Sequence, residues 1–156
     1  MKTWSEIINK VKEQKIKRNW SKIYWAIDLH DSIISGEYNK FNKGSILYPY
    51  AKEVLDLLYN STDNITILWT SSYDDAILDI ITKFDLKFHY YNENPECSNN
   101  ELCNFDQKFY FNLLLDDKSG FEPKDWEEIY KALTNKELNV KLTNKEKSIL
   151  ENDYIK

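Results

Sequence analysis

Short apolar runs that end abruptly in polar residues alternate with stretches of helical periodicity, and this alternation limits the fold more than any other feature. The runs are IYWAID at 23–28, NITILW at 64–69, a weaker one at 87–91 and FYFNLLL at 109–115. Continuous apolar runs of this length are typical of strands buried on both faces of a parallel sheet. The sequence therefore predicts a three-layer α/β/α sandwich with a mainly parallel, Rossmann-like sheet.

Apolar residues recur at helical spacing in the segments between these runs. The predicted helices cover 3–18, 48–60 with Pro49 in the first turn, 73–84 and about 123–133, and a loop or small hairpin is expected over 32–48. The first helix is an extra, amphipathic element whose apolar stripe is Trp4, Ile7, Ile8, Val11 and Ile16. We expect it to pack on the domain with its lysines in solvent, and a membrane-surface or partner role for the basic face is the alternative.

The length of 156 residues suits a single domain over 1–156. We divide it into the N-terminal helix at 1–20, a core at 22–133 and a charged C-terminal extension at 134–156. No run of eighteen apolar residues is present, which argues against a membrane span, and the N-terminus is too charged for a signal peptide. A cytoplasmic location is therefore expected, with Cys97 and Cys103 as free thiols.

Composition excludes two classes of site. The chain has only three glycines, so neither a Walker loop nor a dinucleotide-binding glycine fingerprint can be written with them. The net charge of −5 does not support a nucleic-acid partner. The aromatic residues between Phe88 and Phe111 could stack on bases, but at strand positions we favour a role in the core.

Polar residues follow three of the predicted strands. Asp28 ends the first run, Thr70 follows the second, and Asp116 and Asp117 follow the last. In a parallel sheet the carboxyl ends of the strands share one edge, and ligands bind there at the topological switch point. These residues are therefore predicted to converge on one functional site.

The order of these motifs resembles that of the haloacid-dehalogenase-like (HAD) phosphohydrolases, over about residues 23–133. The matching segments are AIDLHDSI around Asp28, ILWTSS around Thr70, QKFYF with Lys108, and LLLDDKSGF with Asp116 and Asp117. The resemblance implies a Mg²⁺-dependent phosphatase that acts through an aspartyl-phosphate intermediate, with a phosphorylated substrate.

The resemblance also implies a role for each residue. Asp28 is the nucleophile, and its other carboxylate oxygen binds Mg²⁺. The remaining metal ligands are the backbone carbonyl of His30 and Asp117, with Asp116 in support. Thr70 and Ser71 bind phosphoryl oxygens, and Lys108 neutralises charge on Asp28 and the phosphoryl group.

The sequence departs from the family pattern at His30, because the family has its acid/base aspartate there. A histidine can donate and accept the proton, or it can mark a degenerate domain that binds phosphate, metal or a protein partner without turnover. Asp31 and Ser32 stand where many members have glycine and threonine; Ser32 keeps the hydroxyl, whereas Asp31 stiffens a turn.

Each motif has a structural alternative. Asp28 and Asp117 can be helix N-caps, and Thr70-Ser71-Ser72 can cap the helix that begins near Tyr73. Lys118 can replace Lys108 as the cation, His30 can face solvent, and His89 is expected to be structural. A third interpretation of the chain is a plain interaction module that uses the N-terminal helix and the charged tail.

The spacing of the motifs leaves no room for a cap domain, since about 40 residues separate Asp28 from Thr70 and must include a helix and a strand. The resemblance is therefore to small capless members of the family. An open site of this kind is accessible to phosphates on macromolecules. The sequence determines neither the substrate nor the oligomeric state.

Overall fold

The computed structural model of the chain describes residues 2–35, 46–95 and 108–135. These residues form a three-layer, Rossmann-like α/β fold, as predicted. In chain order its elements are α1 (Trp4–Lys17), β1 (Ile23–Ile27), α2 (Ala51–Asn60), β2 (Asn64–Leu68), α3 (Asp74–Phe84), β3 (Tyr90–Tyr91), β4 (Leu113–Leu115) and α4 (Asp125–Thr134), with a 3₁₀ turn at Asp117–Ser119.

The four described strands are all parallel and lie in the order β3-β2-β1-β4. Ile27 of β1 is opposite Leu68 of β2 on one side and opposite Leu115 of β4 on the other. The chain runs from β1 through β2 to β3 on one side of β1 and then returns to β4 on the other side. The order of strands therefore reverses between β1 and β4, which is where such sheets bind ligands.

The apolar core holds the central strand in place. All five residues of β1 are buried, which explains why this strand is a continuous apolar run. Trp25 and Ile27 join the buried stripe of α2 in one cluster, to which the helix contributes Ala51, Val54, Leu55 and Leu58. Burial of each large apolar side chain contributes roughly 1.5–3 kcal/mol to the stability of the fold. The carboxyl end of β1 is therefore attached to a stable core.

Strand β4 is shorter than the predicted run 109–115, since its aromatic residues pack beside the ladder. Phe109 stacks on Trp69 with ring centroids 4.1 Å apart, and Tyr110 meets Tyr24 edge-on at 5.0 Å. The backbone N–H of Tyr24 donates to Asn112 Oδ1 at 2.8 Å. The side chain of Asn112 thus accepts a backbone hydrogen bond that would otherwise have extended the pairing of β1 with β4.

Strand β3 is reduced to two residues because the side chain of His89 takes part in the backbone pairing. Its Nδ1 accepts the backbone N–H of Thr66 at 2.9 Å, and its own backbone N–H donates to the Thr66 carbonyl at 3.0 Å. The ring also stacks on Tyr59 of α2, with centroids 4.6 Å apart. His89 therefore has a structural role.

Helix α2 begins at Ala51, so the prediction that Pro49 opens the helix is wrong. Pro49 lies in a turn, and Tyr50 adopts a left-handed conformation with φ 67° immediately before the first helical residue. This geometry turns the chain into the helix without a side-chain cap.

Helix α1 packs on the domain. Thr3 and Glu6 form a reciprocal capping box at its start, and the backbone N–H of Trp4 donates to Glu128 of α4 at 2.9 Å. Ile8 is buried in the core, but Ile16 is 81% exposed, so the predicted apolar stripe ends before the last turn.

Every helix in the described residues is too short or too polar to cross a membrane. Several predictions lie outside these residues. They concern residues 36–45 of the expected loop or hairpin, Cys97, Cys103 and the extension from residue 136 onward.

Candidate functional site

Three carboxylates meet at the carboxyl edge of the sheet, on both sides of the switch point. Asp28 directly follows β1, and its backbone N–H donates to the carbonyl of Leu115 at 2.9 Å, which extends the β1–β4 pairing by one residue. Asp116 and Asp117 directly follow β4. One carboxylate oxygen from each of the three acids lies within 4.8 Å of the others. The ends of two adjacent parallel strands therefore bring together acids that are far apart in sequence.

Asp28 is the acid whose charge this environment disfavours. Its pKa rises from an ordinary 3.8 to about 7, mainly because burial penalises the ionised form. A hydrogen bond from the backbone N–H of Leu29 opposes the rise, while the neighbouring Asp117 and Asp116 add to it. In the absence of a cation, these surroundings therefore favour the protonated form of Asp28 more than solvent does.

The same cluster contains an unsatisfied acceptor. Asp117 Oδ1 is buried and has no hydrogen-bond partner in the described part of the chain. A buried oxygen of this kind is costly unless it meets a donor or a cation. Three carboxylates with one unsatisfied oxygen are a donor set that fits a hard divalent cation such as Mg²⁺.

The loop after β1 is tightly folded. The backbone N–H groups of Ile33 and Ile34 both donate to the Leu29 carbonyl, at 2.9 and 3.1 Å. Asp31 adopts a left-handed conformation with φ 61°, which glycine adopts more readily than other residues. Ser32 is fully buried, and its Oγ accepts the backbone N–H of Asp117 at 3.2 Å. The loop is thereby bonded to the acid pair.

The two adjacent acids differ in their surroundings. Asp116 is the N-cap of the 3₁₀ turn, where its Oδ1 accepts the backbone N–H of Lys118 at 2.9 Å. Within the described residues, neither Asp28 nor Asp117 is the N-cap of a helix. The capping alternative is therefore wrong for Asp28 and Asp117 and applies to Asp116 instead.

A second group of polar side chains follows β2. Thr70 Oγ1 is 3.2 Å from Ser72 Oγ, and Ser72 Oγ is 3.0 Å from Nδ1 of His30. The backbone N–H of Thr70 donates to Asn92 Oδ1 at 2.8 Å, while Ser71 is exposed. The N-cap of α3 is Tyr73, without a side-chain hydrogen bond, so these hydroxyls do not cap the helix.

The described residues leave open which lysine is the cation expected beside the acids. Lys108 is exposed and forms no ion pair with the residues that the structure describes. Lys118 is also exposed and is tied to Asp116 through its backbone N–H. Both lysines remain predictions.

Sequence reasoning did not identify three supporting residues. Ser72 joins Thr70 to His30, Asn92 holds the backbone of Thr70, and Trp126 donates to the carbonyl of Ser32 at 2.6 Å. Ser72 stands in the TSS motif, whose hydroxyls are as typical of a helix cap as of a binding site. No periodicity or motif marks Trp126, because its contact joins residues 94 positions apart.

Comparison with known proteins supports the fold. No protein-family profile matches the chain, and no curated protein matches it. The solved structure of a conserved protein from Bacteroides thetaiotaomicron is similar, with a TM-score of 0.55 and 26% sequence identity over 75% of this chain and 93% of that one. Since that protein is named only as conserved, the likeness bears on the fold and conveys no activity.

Proposed function

We propose that this protein is a Mg²⁺-dependent phosphomonoester hydrolase of the HAD type, with Asp28 as its nucleophile. The observation that carries this proposal is the convergence of Asp28, Asp116 and Asp117 at the switch point of a parallel sheet. The metal ligands in this proposal are Asp28, Asp117 and the backbone carbonyl of His30, with Asp116 in support.

The proposed reaction has two displacements. An oxygen of Asp28 attacks phosphorus, the bond from phosphorus to the leaving oxygen breaks, and His30 gives that oxygen a proton. His30 then takes a proton from water, which attacks phosphorus, releases inorganic phosphate and restores the Asp28 carboxylate. Bound Mg²⁺ would neutralise the clustered carboxylates and the phosphoryl oxygens.

The residues after β2 support this assignment. Thr70 and Ser71 are proposed to donate hydrogen bonds to the phosphoryl oxygens, and Lys108 to neutralise their charge. Ser72 lies between Thr70 Oγ1 and His30 Nδ1, at 3.2 and 3.0 Å, so the proposed phosphate-binding group and the proposed acid/base share one hydroxyl. This link gives the imidazole a fixed neighbour beside the site.

The proposed substrate class follows from access to the site. Helix α2 and strand β2 take 15 of the 41 residues between Asp28 and Thr70, and the 26 that remain are few for a separate cap domain. An uncapped site accepts phosphates attached to large molecules as well as small phosphate esters. We therefore include peptides and nucleic-acid ends among the substrates to be tested.

A degenerate domain that binds phosphate, metal or a protein partner without turnover is the second candidate. Two observations favour it, namely the histidine at position 30 and the absence of an ion pair between Lys108 and the described acids. The variant His30→Asp separates the two functions. A large gain of phosphatase activity indicates a degenerate site, whereas a loss indicates that His30 is the working acid/base.

The deciding experiment is a screen of phosphorylated metabolites, phosphopeptides and oligonucleotide ends, each with Mg²⁺ and with chelator. We expect turnover that requires Mg²⁺ and that Asp28→Asn abolishes without loss of the fold. The matched control is Asp79→Asn, which removes an exposed carboxylate on α3 and should leave turnover unchanged. Full activity of Asp28→Asn would show that the nucleophile is wrongly assigned.

A further inference from the structure

A buried hydrogen-bonded connection runs from the acid pair to helix α4 through one residue. Ser32 is 0% exposed, and its Oγ accepts the backbone N–H of Asp117 at 3.2 Å. The carbonyl of the same residue accepts the indole Nε1–H of Trp126 at 2.6 Å. Ser32 is therefore bonded to the acid pair through its side chain and to α4 through its backbone.

The indole that holds Ser32 is itself tightly packed. Trp126 is 0% exposed and meets Phe121 edge-on, with ring centroids 5.0 Å apart. Phe121 in turn meets Trp4 of α1 edge-on at 5.9 Å, and its backbone N–H donates to the Asp116 carbonyl at 3.2 Å. Large buried rings in such contacts have little freedom to shift, so the indole N–H is a fixed donor.

The position of Asp117 depends on this support more than that of its neighbours does. Asp28 is attached directly to the central strand, and Asp116 uses its carboxylate to cap the 3₁₀ turn. Asp117 Oδ1 has no hydrogen-bond partner in the described residues, so no such bond fixes that oxygen. The carboxyl group of Asp117 also shares a hydrogen bond with Asp28, and the backbone N–H of Asp117 is bonded to Ser32.

We propose that Ser32 and Trp126 are positioning residues that hold Asp117 as a ligand for Mg²⁺. This inference rests on the metal site of the proposed function and goes beyond it, because it assigns the ligand geometry to two buried residues that do not contact the ion. Outer partners that orient a metal ligand commonly change metal affinity 10- to 100-fold when they are removed.

The test measures binding of Mg²⁺ alone to the full chain, by calorimetry, without any substrate. We expect Ser32→Ala to raise the dissociation constant roughly tenfold, because Asp117 loses its backbone anchor. Ser32→Thr keeps the hydroxyl and should restore affinity to near the original value. Trp126→Phe keeps an aromatic ring but removes the indole donor together with part of the buried ring system, and it should weaken Mg²⁺ binding in the same direction as Ser32→Ala.

The matched control is Ser35→Ala. Ser35 is also buried, at 3% exposure, and its Oγ accepts the backbone N–H of Ile46 at 3.0 Å. Its removal costs a hydrogen bond of the same kind and should leave the Mg²⁺ dissociation constant unchanged. If Ser35→Ala weakens binding as much as Ser32→Ala, a general loss of stability explains both and the inference is wrong.

The remaining outcomes separate this inference from the proposed function. If the original chain binds Mg²⁺ and folded Ser32→Ala binds it equally well, the positioning role is wrong while the metal site stands. If the original chain binds no Mg²⁺, both are overturned. If circular dichroism shows that Ser32→Ala does not fold, Trp126→Phe decides, and unchanged affinity in that variant overturns the inference.

Discussion

Replacing Asp28 by asparagine should make the metal-free protein more stable at pH 8. The pKa of Asp28 is raised to about 7 in the folded protein, chiefly by burial, whereas the ordinary value of 3.8 applies when the chain is unfolded. The folded state therefore binds this proton more tightly than the unfolded state does. The contribution of Asp28 to stability is fully present below about pH 4 and is lost as the pH rises through about 7. Asparagine has a similar shape and cannot ionise. The stability of Asp28→Asn therefore does not fall in this way as the pH rises.

The size of the effect follows from the rise in pKa and from the exposure of the group. A rise from 3.8 to about 7 corresponds to at most roughly 4 kcal/mol of differential free energy. Because Asp28 is only partly buried, water screens much of the interaction with its neighbours, and we expect about 1–2 kcal/mol. The sign of the change in unfolding free energy is the informative part. Most substitutions at partly buried positions are destabilising, whereas Asp28→Asn is expected to stabilise the protein.

The assay is urea unfolding of the original chain and of Asp28→Asn at pH 5 and pH 8, both in chelator. Because the loss builds up between about pH 4 and pH 7, we expect the advantage of the variant at pH 5 to be less than half of the about 1–2 kcal/mol reached at pH 8. Asp79→Asn, on the exposed face of α3, should show no such pH dependence. The reasoning is refuted if Asp28→Asn is the less stable protein at pH 8, or if its advantage is the same at both pH values.

Two further predictions concern the stability of the fold. The pKa of His89 is lowered, first by burial and then by the charge of Lys22, and its Nδ1 accepts a backbone N–H. Because the unfolded chain takes up this proton more readily, stability should decrease as the pH falls below 6.5. In His89→Asn, Oδ1 of the asparagine can accept the Thr66 N–H in place of Nδ1. Urea unfolding should then show a smaller decrease in stability between pH 7.5 and pH 5 than in the original chain. An equal decrease would contradict the assignment to His89. Asp31 has φ 61°, so Asp31→Ala should be less stable than Asp31→Gly by about 1 kcal/mol. Equal urea midpoints for the two Asp31 variants would show that backbone strain does not limit this turn.

The parts of the fold that could be predicted are those fixed by periodicity. The run 23–28 became the central strand β1, and the stripe of Val54, Leu55 and Leu58 became the buried face of α2. The lengths of β3 and β4 could not be predicted, because side chains replaced backbone partners there. His89 takes the Thr66 N–H, and Asn112 takes the Tyr24 N–H. A hydrophobic pattern does not show where a side chain takes the place of a backbone hydrogen-bond partner.

The proximity of the three site aspartates could be predicted from the sequence, whereas the contacts of Ser72 and Trp126 could not. Asp28, Asp116 and Asp117 were expected to meet because parallel strands share a carboxyl edge, and their oxygens do lie within 4.8 Å of one another. The hydrogen bonds of Ser72 and Trp126 depend on how loops fold over that edge, and local sequence patterns do not encode this. The catalytic roles of all these residues remain predictions.

A purely structural explanation of Asp28 does not fit its surroundings. It caps no helix in the described chain, forms no ion pair there, and lies where burial and two neighbouring acids disfavour its charge. Asparagine would serve the fold better at neutral pH. Mg²⁺ in this cluster would offset most of the local negative charge, satisfy Asp117 Oδ1 and make the ionised form of Asp28 the favoured one. The mild acidic excess of the chain, which by itself argues against an anionic ligand, is therefore compatible with a phosphate site that operates through a bound cation.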